Sequence, residues 1–378
     1  MKALVVGCGP VGMTVAGLLS QQQHLVTVID KRQNLSTLPR GIAVNQNSLA
    51  TFDQLQIGVE LERLSMRVPC INLRRNASVL GRIDFHQLSI ERPYFCHVTQ
   101  DMVERILYER LSRLGVSVHR GVELHALTST PTEVQATCID HNGMTRTFSA
   151  DILIACDGGN STVRTLLGLQ VDQQTYCAYF LLADVTFEEL PLPPGETHYF
   201  FCRDGYLMLV PIPGKRHRVI LSVKGPHSSP ADIDRRLLED TIAARTGMRV
   251  RVGRVDWTTQ SSFGHKVSRS ARCGHVFLAG DSLHQFSPIG GTNMNVGIED
   301  AAAFARSILH RRIDEYEAQR LDAIRRHIQL TQYLTRLLAR PRDLAHSRRP
   351  FVSRSLRALL ENEIPRLLTG FHDHPYIP

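Results

Sequence analysis

The chain of 378 residues has no apolar run that approaches the roughly 20 residues a membrane-spanning helix requires. Hydrophobic residues make up 43% of it and charged residues 21%, a balance typical of a soluble globular protein. A strand-like run begins at Lys2, which leaves no room for a signal peptide before it. We therefore expect a cytoplasmic protein without stable membrane insertion.

Cysteine pairs at metal or redox spacing are also missing. The eight cysteines are scattered, no Cys-x-x-Cys pair occurs, and no histidines cluster at metal-ligand spacing. Several of the cysteines lie in strand-like runs, where buried thiols behave as small apolar groups. The sequence therefore predicts reduced, structural cysteines and no metal site.

A nucleic-acid-binding motif is missing too, although the formal net charge is +8. The basic residues are spread along the chain with some concentration in its C-terminal third, and no internal repeat organises them. A solvated basic surface is the better interpretation, and such a surface would also attract an anionic cosubstrate or substrate. We expect no nucleic-acid partner.

The N-terminus carries a dinucleotide-binding pattern. Residues 2–6 form an apolar run of strand length, followed by Gly7, Gly9 and Gly12 at the spacing of a phosphate cradle. Gly7 permits the tight turn, Gly9 allows backbone to approach a pyrophosphate, and Gly12 lets the next helix pack closely. A second strand ends in Asp30, where a carboxylate can accept hydrogen bonds from a ribose. The pattern alone leaves NAD and FAD both open.

A second glycine motif follows another predicted buried strand, residues 151–155. That strand runs into Asp157 and Gly158, with Ser161 and Arg164 just beyond.

A third motif lies near the C-terminal end, where a strand leads into a Gly-Asp pair and then a glycine-rich turn that opens a helix. Its residues are Gly280, Asp281, His284, Pro288, Gly290, Gly291, Asn295, Gly297 and Asp300.

In this order the three motifs resemble those of the single-component flavoprotein aromatic hydroxylases, the p-hydroxybenzoate hydroxylase family. The resemblance extends over residues 1–340. One departure is Asn293, at a position where the family commonly has Gly; Asn tolerates positive φ better than most residues. The resemblance implies an α/β fold: a Rossmann-like FAD-binding domain with an inserted antiparallel β-sheet substrate domain and a helical C-terminus.

The resemblance also implies how FAD is held, without a covalent bond. Asp281 would accept from a ribitol hydroxyl, Arg40 would lie near the pyrophosphate, and Gln100 would face the cofactor from the head of a helix. Backbone N–H groups of residues 290–295 would point at the flavin ring and stabilise its reduced, anionic form. The expected cofactor-binding residues are Gly7, Gly9, Gly12, Asp30, Arg40, Gln100, Asp157, Gly158, Asp281, Gly290, Gly291, Asn293, Met294 and Asn295.

We predict a discontinuous domain organisation. The FAD-binding domain comprises residues 1–70, 96–174 and 264–340. The substrate-binding sheet comprises residues 71–95 and 175–263, with alternating strands and a helix from Pro230 to Arg245. Residues 341–378 form a helical C-terminal tail.

The activity that the resemblance implies is FAD-dependent monooxygenation. NADPH or NADH would bind transiently, since there is only one dinucleotide fingerprint, and O₂ would give a flavin C4a-hydroperoxide that hydroxylates an electron-rich aromatic ring. Lys31 and Arg32 mildly favour NADPH. Alternatives are an FAD-dependent reductase or oxidase of the same fold, similar to prenyl reductases, or a non-catalytic flavoprotein partner subunit. The halogenase Trp-x-Trp motif is absent, because Trp257 is the only tryptophan.

Residues for chemistry and for substrate are less well defined. His217, His265 and His284 are candidates for a base, with Pro288 as a second weak catalytic candidate beside His284, and none can be assigned. The inserted sheet has no cluster of Arg or Lys to clamp a carboxylate, apart from single residues at Arg203 and Arg218, so we expect a bulky apolar aromatic substrate. We expect a monomer or homodimer. The candidate substrate residues are Tyr179, Phe201, Tyr206, Met208 and Phe286.

Overall fold

The computed structural model describes residues 1–88, 90–202, 205–223, 225, 233–286 and 293–339. Within these ranges the helices are α1 (Pro10–Gln21), α2 (Gln46–Gln54), α3 (Gly58–Leu64), α4 (Gln100–Arg113), α5 (Thr162–Leu166), α6 (Arg235–Thr246), α7 (Asn293–Leu309) and α8 (Tyr316–Ala339). The strands are β1 (Lys2–Val6), β2 (Leu25–Asp30), β3 (Ala43–Val44), β4 (Met66–Val68), β5 (Cys70–Arg75), β6 (Ser78–Asp84), β7 (Phe95–His97), β8 (Ser117–Arg120), β9 (Val122–Ser129), β10 (Val134–Asp140), β11 (Thr145–Ala150), β12 (Ile152–Ala155), β13 (Val171–Glu189), β14 (Thr197–Cys202), β15 (Gly205–Ile212), β16 (Arg216–Val223), β17 (Arg251–Ser268), β18 (Arg272–Cys273), β19 (Val276–Leu278) and β20 (His284–Gln285).

A six-stranded sheet in the order β18-β19-β12-β1-β2-β8 forms the first layer. From β19 to β8 its neighbours run parallel, with Val6 level with Ala155 in β12 and Ile29 in β2. These strands are short apolar runs because both faces are covered, by α1, α4 and α7 and by the three-stranded sheet β11-β10-β9. The carboxyl ends of β1, β2, β12 and β19 therefore lie side by side along one edge.

An eight-stranded sheet in the order β20-β17-β13-β16-β15-β14-β5-β6 forms the second body of structure. Its neighbours are antiparallel apart from β14 and β5, which are parallel. One face packs against α6 through a core that includes Leu181, Leu207, Leu221 and Leu238. The other face carries Leu182, Met208 and Ile220, and it turns toward the first sheet.

Some predicted boundaries differ from the structure. The helix predicted to start at Pro230 begins at Arg235, because Asp234 caps it by accepting from the backbone N–H of Leu237; Pro230 itself lies outside the described residues. Strands β5 and β6 join the eight-stranded sheet, but β13 and β17 run continuously through the boundaries placed at residues 175 and 263. The division into domains stays a prediction, and the tail at residues 341–378 lies outside the described residues.

In the described part of the chain, no helix is both long and apolar enough to cross a membrane. The same ranges contain no group of three or more His, Cys, Asp or Glu side chains arranged to hold a metal ion.

Candidate active site

One cavity of about 620 Å³ runs from the carboxyl edge of the six-stranded sheet to the face of the eight-stranded sheet. At the first end it is lined by residues that follow β1, β2, β12 and β19; at the second by side chains of β13 to β16. The sequence-predicted cofactor residues that line it are Gly7, Gly9, Asp30, Arg40, Gln100, Asp157, Gly158, Asp281, Asn293 and Met294.

The three glycines after β1 have different surroundings. Gly7 has φ of +106°, and a Cβ there would lie 2.2 Å from the carbonyl oxygen of Cys156. At Gly12 a Cβ would lie 2.0 Å from the carbonyl oxygen of Gly7, so helix α1 can pack this closely only with glycine. A Cβ at Gly9 would meet no protein atom within 4 Å, because the residue faces the open cavity.

Asp30 closes the cradle at the end of β2. Its Oδ2 accepts from the backbone N–H of Cys8 at 2.7 Å, which fixes the carboxylate beside the glycine turn. Its Oδ1 accepts from the backbone and side chain of Arg32 at 2.7 and 3.3 Å. Helix α1 starts after Gly9 without a side-chain cap, so its first N–H groups are left for a ligand.

Val11 connects the first motif to the third. A Cβ at Gly280 would lie 2.9 Å from a Val11 methyl carbon, and one at Gly297 would lie 2.6 Å from it. Helix α1 packs on α7 at this point. Gly280 and Gly297 of the third motif therefore leave the space that Val11 of helix α1 occupies.

Asp157, after β12, has one carboxylate oxygen in use and one without a partner. Its Oδ2 accepts from the backbone N–H of Val163, whereas its Oδ1 is buried and has no hydrogen-bond partner among the described residues. Burial raises the pKa of Asp157 above its ordinary value.

Arg164 from the same motif does not line the cavity. It donates to the carbonyl oxygens of Ser282 and Gly159, and these hydrogen bonds connect the second motif to the third.

Asp281 lines the cavity and is exposed. It accepts from Nε2 of Gln285 at 3.1 Å. Desolvation by the surrounding protein raises the pKa of Asp281, and the hydrogen bond from Gln285 opposes that rise. Because the carboxylate is exposed to the cavity, it can accept a further hydrogen bond from a ligand hydroxyl.

The start of α7 holds both ligand-facing and structural residues. Asn293 and Met294 line the cavity, and the Asn293 amide exchanges two hydrogen bonds of 2.8 Å with the backbone of Phe286. Asn295 does not line it: its side chain is buried and binds Asn45, Ser48 and Ala43, and the contact predicted for its backbone N–H stays a prediction. Pro288, Gly290 and Gly291 lie outside the described residues.

His284, the weak catalytic candidate, lies behind the cavity. Its Nε2 is 2.7 Å from Oδ2 of Asp300, which also accepts from the backbone N–H of Gly280. Arg320 donates to the other oxygen of Asp300 at 2.6 Å. His284 is buried at 1% exposure and does not line the cavity, so its contacts support the Gly280 turn. His217 and His265 do not line the cavity either.

The loop that carries Arg40 is held from the opposite sheet. Arg218 donates to the backbone carbonyl oxygens of Pro39 and Arg40, and Gln100 accepts from the N–H of Gly41 at 3.2 Å. Nε2 of Gln100 in turn donates to Glu104 at 2.9 Å. Arg40 thus enters the cavity on a loop that is held by Arg218 of the large sheet and by Gln100 at the start of α4.

The predicted substrate residues are only partly placed at the cavity. Met208 lines the cavity, while the side chain of Tyr206 is not among those that the structure describes. Tyr179 points to the other face of β13, with Leu181, and Phe201 lies two pairs beyond Tyr199 along β14.

Phe286 is also displaced from its predicted place. It stacks on His284 at 4.7 Å and contacts His327 at 4.6 Å in the core. Tyr179, Phe201 and Phe286 therefore do not line the cavity. Alternation along β13 turns Tyr179 to the opposite face, core packing holds Phe286, and Phe201 shares the face of Tyr199 but lies two pairs farther along β14.

Four polar residues of the cavity went unrecognised as substrate residues: His97, Thr197, Tyr199 and Arg218, of which Arg218 was noted only as an isolated cation. Alternation in β14 could have paired Thr197 with Tyr199 on one face. The position of His97, however, depends on contacts between strands far apart in the chain.

FAD fits this set of residues. Gly9 leaves open a space that any Cβ would fill, the uncapped start of α1 suits a pyrophosphate, and Asp157 and Asp281 present under-used carboxylate oxygens. Asp30 would hold the ribose, Arg40 the phosphates, and Asn293 and Met294 would lie against the flavin end.

Comparison with known proteins agrees with this assignment. Residues 1–331 match the family described as FAD binding domain. A 6-methylpretetramide 4-monooxygenase of Streptomyces rimosus is 30% identical over 350 residues, covering 89% of this chain and 62% of that relative. Pentachlorophenol 4-monooxygenase of Sphingobium chlorophenolicum is 26% identical over 302 residues, covering 79% of this chain and 56% of that relative.

A solved structure gives the same fold over nearly the whole chain. The p-nitrophenol 4-monooxygenase of Pseudomonas putida DLL-E4 superposes with a TM-score of 0.82 and 21% identity, covering 98% of this chain and 96% of the other. With the cradle, the carboxylates and the family match together, the chain belongs to the family of FAD-binding domains.

Proposed function

We propose that this chain is an FAD-dependent monooxygenase that uses NADPH or NADH and O₂ to hydroxylate a bulky, electron-rich aromatic compound. The observation that carries the proposal is the single cavity that joins a dinucleotide cradle to an apolar sheet wall. A ring bound against Met208, Leu182 and Ile220 would lie in the same enclosed space as the flavin end of the cofactor.

Bound FAD would supply the redox chemistry that connects a nicotinamide donor, O₂ and the aromatic ring. The protein's own residues have positioning and shielding tasks. Asp30, Arg40 and Asp281 would hold the cofactor, and Ile42, Val210 and Ile220 would exclude water from the reacting ring. Lys31 and Arg32 line the cradle end and would attract the anionic cosubstrate, which favours NADPH.

The names of the relatives support an aromatic substrate. They include monooxygenases named for 6-methylpretetramide, pentachlorophenol and anhydrotetracycline. The reaction would take place in the cytoplasm, where NAD(P)H is regenerated and thiols stay reduced. We expect a monomer or a homodimer.

The test is incorporation of labelled oxygen. FAD-loaded protein is supplied with NADPH, ¹⁸O₂ and a panel of phenols, naphthols and polycyclic aromatic compounds, with FAD-free protein as the control. We expect NADPH oxidation to accelerate with at least one bulky phenol and one ¹⁸O atom to appear in its product. NADPH oxidation that yields only hydrogen peroxide, or no oxidation with any compound, would favour the oxidase, reductase or partner-subunit alternatives.

A further inference from the structure

At the end of the cavity away from the glycine turn, side chains of four neighbouring strands form a row across the eight-stranded sheet. Tyr199 is level with Met208, Met208 with Ile220, and Ile220 with Leu182. All four line the cavity, and Tyr199 supplies the only polar atom of this row. The row is therefore a mostly apolar wall that suits the flat face of an aromatic ring.

His97 enters the same end from β7. It is buried, with its Nδ1 2.9 Å from the carbonyl oxygen of Pro211. A carbonyl oxygen can only accept, so Nδ1 carries the proton of this hydrogen bond. Burial lowers the pKa of His97 to about 4, so the ring is neutral near pH 7 and its Nε2 is an acceptor.

No described residue bonds to Nε2 of His97, although the ring lines the cavity. An acceptor that faces the cavity without a protein partner is available to a hydrogen-bond donor of a ligand. The low basicity of the ring suits recognition of a hydroxyl by hydrogen bonding and does not suit removal of its proton.

Thr197 provides a second unused polar group nearby. Its side chain is 1% exposed and lines the cavity, and its Oγ1 has no hydrogen-bond partner in the described part of the chain. His198 is level with Leu209, which puts Thr197 beside Val210. The carbonyl oxygen held by His97 belongs to the next residue, Pro211, so the two residues lie beside the same part of β15.

The charge at this end argues against an acidic substrate. Among the described residues, the cation that lines the cavity here is Arg218. Four of its five guanidinium N–H groups donate to the two carboxylate oxygens of Asp184 and to the carbonyl oxygens of Pro39 and Arg40. The charge of Arg218 is already balanced by Asp184, so a carboxylate on the substrate would be buried beside a neutralised pair, at a large desolvation cost.

Building on the monooxygenase function proposed above, we propose that His97 Nε2 accepts a hydrogen bond from a phenolic hydroxyl of the substrate. The substrate class is thus an uncharged phenol with a fused or bulky ring system, and Thr197 is positioned to bind a second oxygen of it. The hydroxyl held at His97 fixes the orientation of the ring within the cavity.

The experiment measures binding to the oxidised, FAD-loaded protein by changes in flavin absorbance, with neither NADPH nor turnover. The probes are 2-naphthol, its methyl ether 2-methoxynaphthalene, and 2-naphthoate. We expect the wild-type protein to bind 2-naphthol about tenfold more tightly than the ether, which has no donor hydrogen. We expect 2-naphthoate to bind more weakly than either.

The matched variant is His97→Asn, whose amide N–H can still donate to the Pro211 carbonyl oxygen while the Nε2 acceptor is lost. This variant should lose about tenfold in affinity for 2-naphthol and change its affinity for the ether by less than about twofold. The control is His125→Asn, an exposed histidine on β9 that lies away from the cavity. It should leave all three affinities unchanged.

Three outcomes would overturn the proposal: equal wild-type affinity for 2-naphthol and its ether, an unchanged preference in His97→Asn, or no binding of 2-naphthol up to its solubility limit. The wild-type comparison needs no substitution, so it decides the matter even if His97→Asn fails to fold. Because no turnover is required, a positive binding result together with no ¹⁸O incorporation would refute the monooxygenase function alone. The reverse result would refute only the role of His97.

Discussion

Arg218 and Asp184 form a buried, two-point ion pair between neighbouring strands of the large sheet. The guanidinium donates to both carboxylate oxygens, at 2.6 and 2.8 Å, and its central carbon lies 4.7 Å from the centre of the Trp257 ring. The same guanidinium also holds the backbone of Pro39 and Arg40. One buried cation thus connects the sheet wall of the cavity to the loop that carries Arg40.

Replacing Arg218 with Met should destabilise the protein by about 3–5 kcal/mol, because Asp184 would be left charged and buried without a partner. Urea unfolding followed by circular dichroism measures the loss. The double variant Arg218→Met, Asp184→Leu should recover most of it, since no charge then remains buried. Arg236→Met is the control: its pair with Asp240 is exposed on α6, so the change should stay within about 0.5 kcal/mol.

Replacing Gly9 with Ala should leave the fold intact and weaken FAD binding. The new Cβ meets no protein atom within 4 Å and would occupy ligand space, so we expect the FAD dissociation constant to rise about tenfold or more. Fluorescence titration of FAD-free protein measures it. Gly7→Ala is the contrasting variant, because its Cβ would overlap the Cys156 carbonyl and should prevent stable folding. Equal behaviour of the two variants would contradict the cradle geometry.

Replacing Asp157 with Asn should stabilise the FAD-free protein at neutral pH. Burial raises the pKa of Asp157 in the folded state, so the folded protein binds that proton more tightly than the unfolded chain does. The stability that this group contributes is present at acid pH and is lost as the pH rises through the folded-state pKa. The Asn variant cannot lose it and should therefore be more stable than the wild type at pH 7 in urea unfolding, with the gain disappearing near pH 4.

Replacing Arg40 with Ala should raise the FAD dissociation constant by the equivalent of about 1–3 kcal/mol, the range of a charge-assisted contact to phosphate. Titration of FAD-free protein at two salt concentrations should also show a weaker salt dependence in the variant. Arg75→Ala, at the exposed end of β5, is the charge-matched control and should bind FAD normally. An unchanged affinity in Arg40→Ala would remove this residue from the site.

Purified protein should be yellow and release its FAD on denaturation, and Asp281→Ala should retain less of it. The carboxylate faces the cavity with Gln285 as its hydrogen-bond partner, so loss of a charged acceptor should cost about 1.5–3 kcal/mol of binding. Flavin content per chain, read from the visible absorbance, measures the effect. Asp314→Ala, an exposed carboxylate at 86% side-chain exposure, serves as the control.

The cofactor end of the cavity could be predicted well from the sequence, because its determinants are short and local. Gly7, Gly9 and Gly12 follow one strand directly, and Asp157 and Asp281 each follow another. When parallel strands pair, their carboxyl ends meet at one edge, so local motifs in the right order already imply a shared site. The structure lines the cavity with Gly7, Gly9, Asp157 and Asp281 and packs Gly12 against the turn at Gly7.

The sequence by itself determined the strand ends, the glycine turns and the carboxylates at them, since each depends on a few consecutive residues. Only the tertiary structure decided the other end of the cavity. Arg218 finds its partner 34 residues away in Asp184, and His97 binds a carbonyl oxygen 114 residues away. Strand pairing and register bring these groups together, and an alternating pattern shows which residues share a face without showing which face meets the ligand. The position along the strand matters as well: Met208 lies at the cavity while Phe201, two pairs farther along the sheet and on the same face as Tyr199, does not.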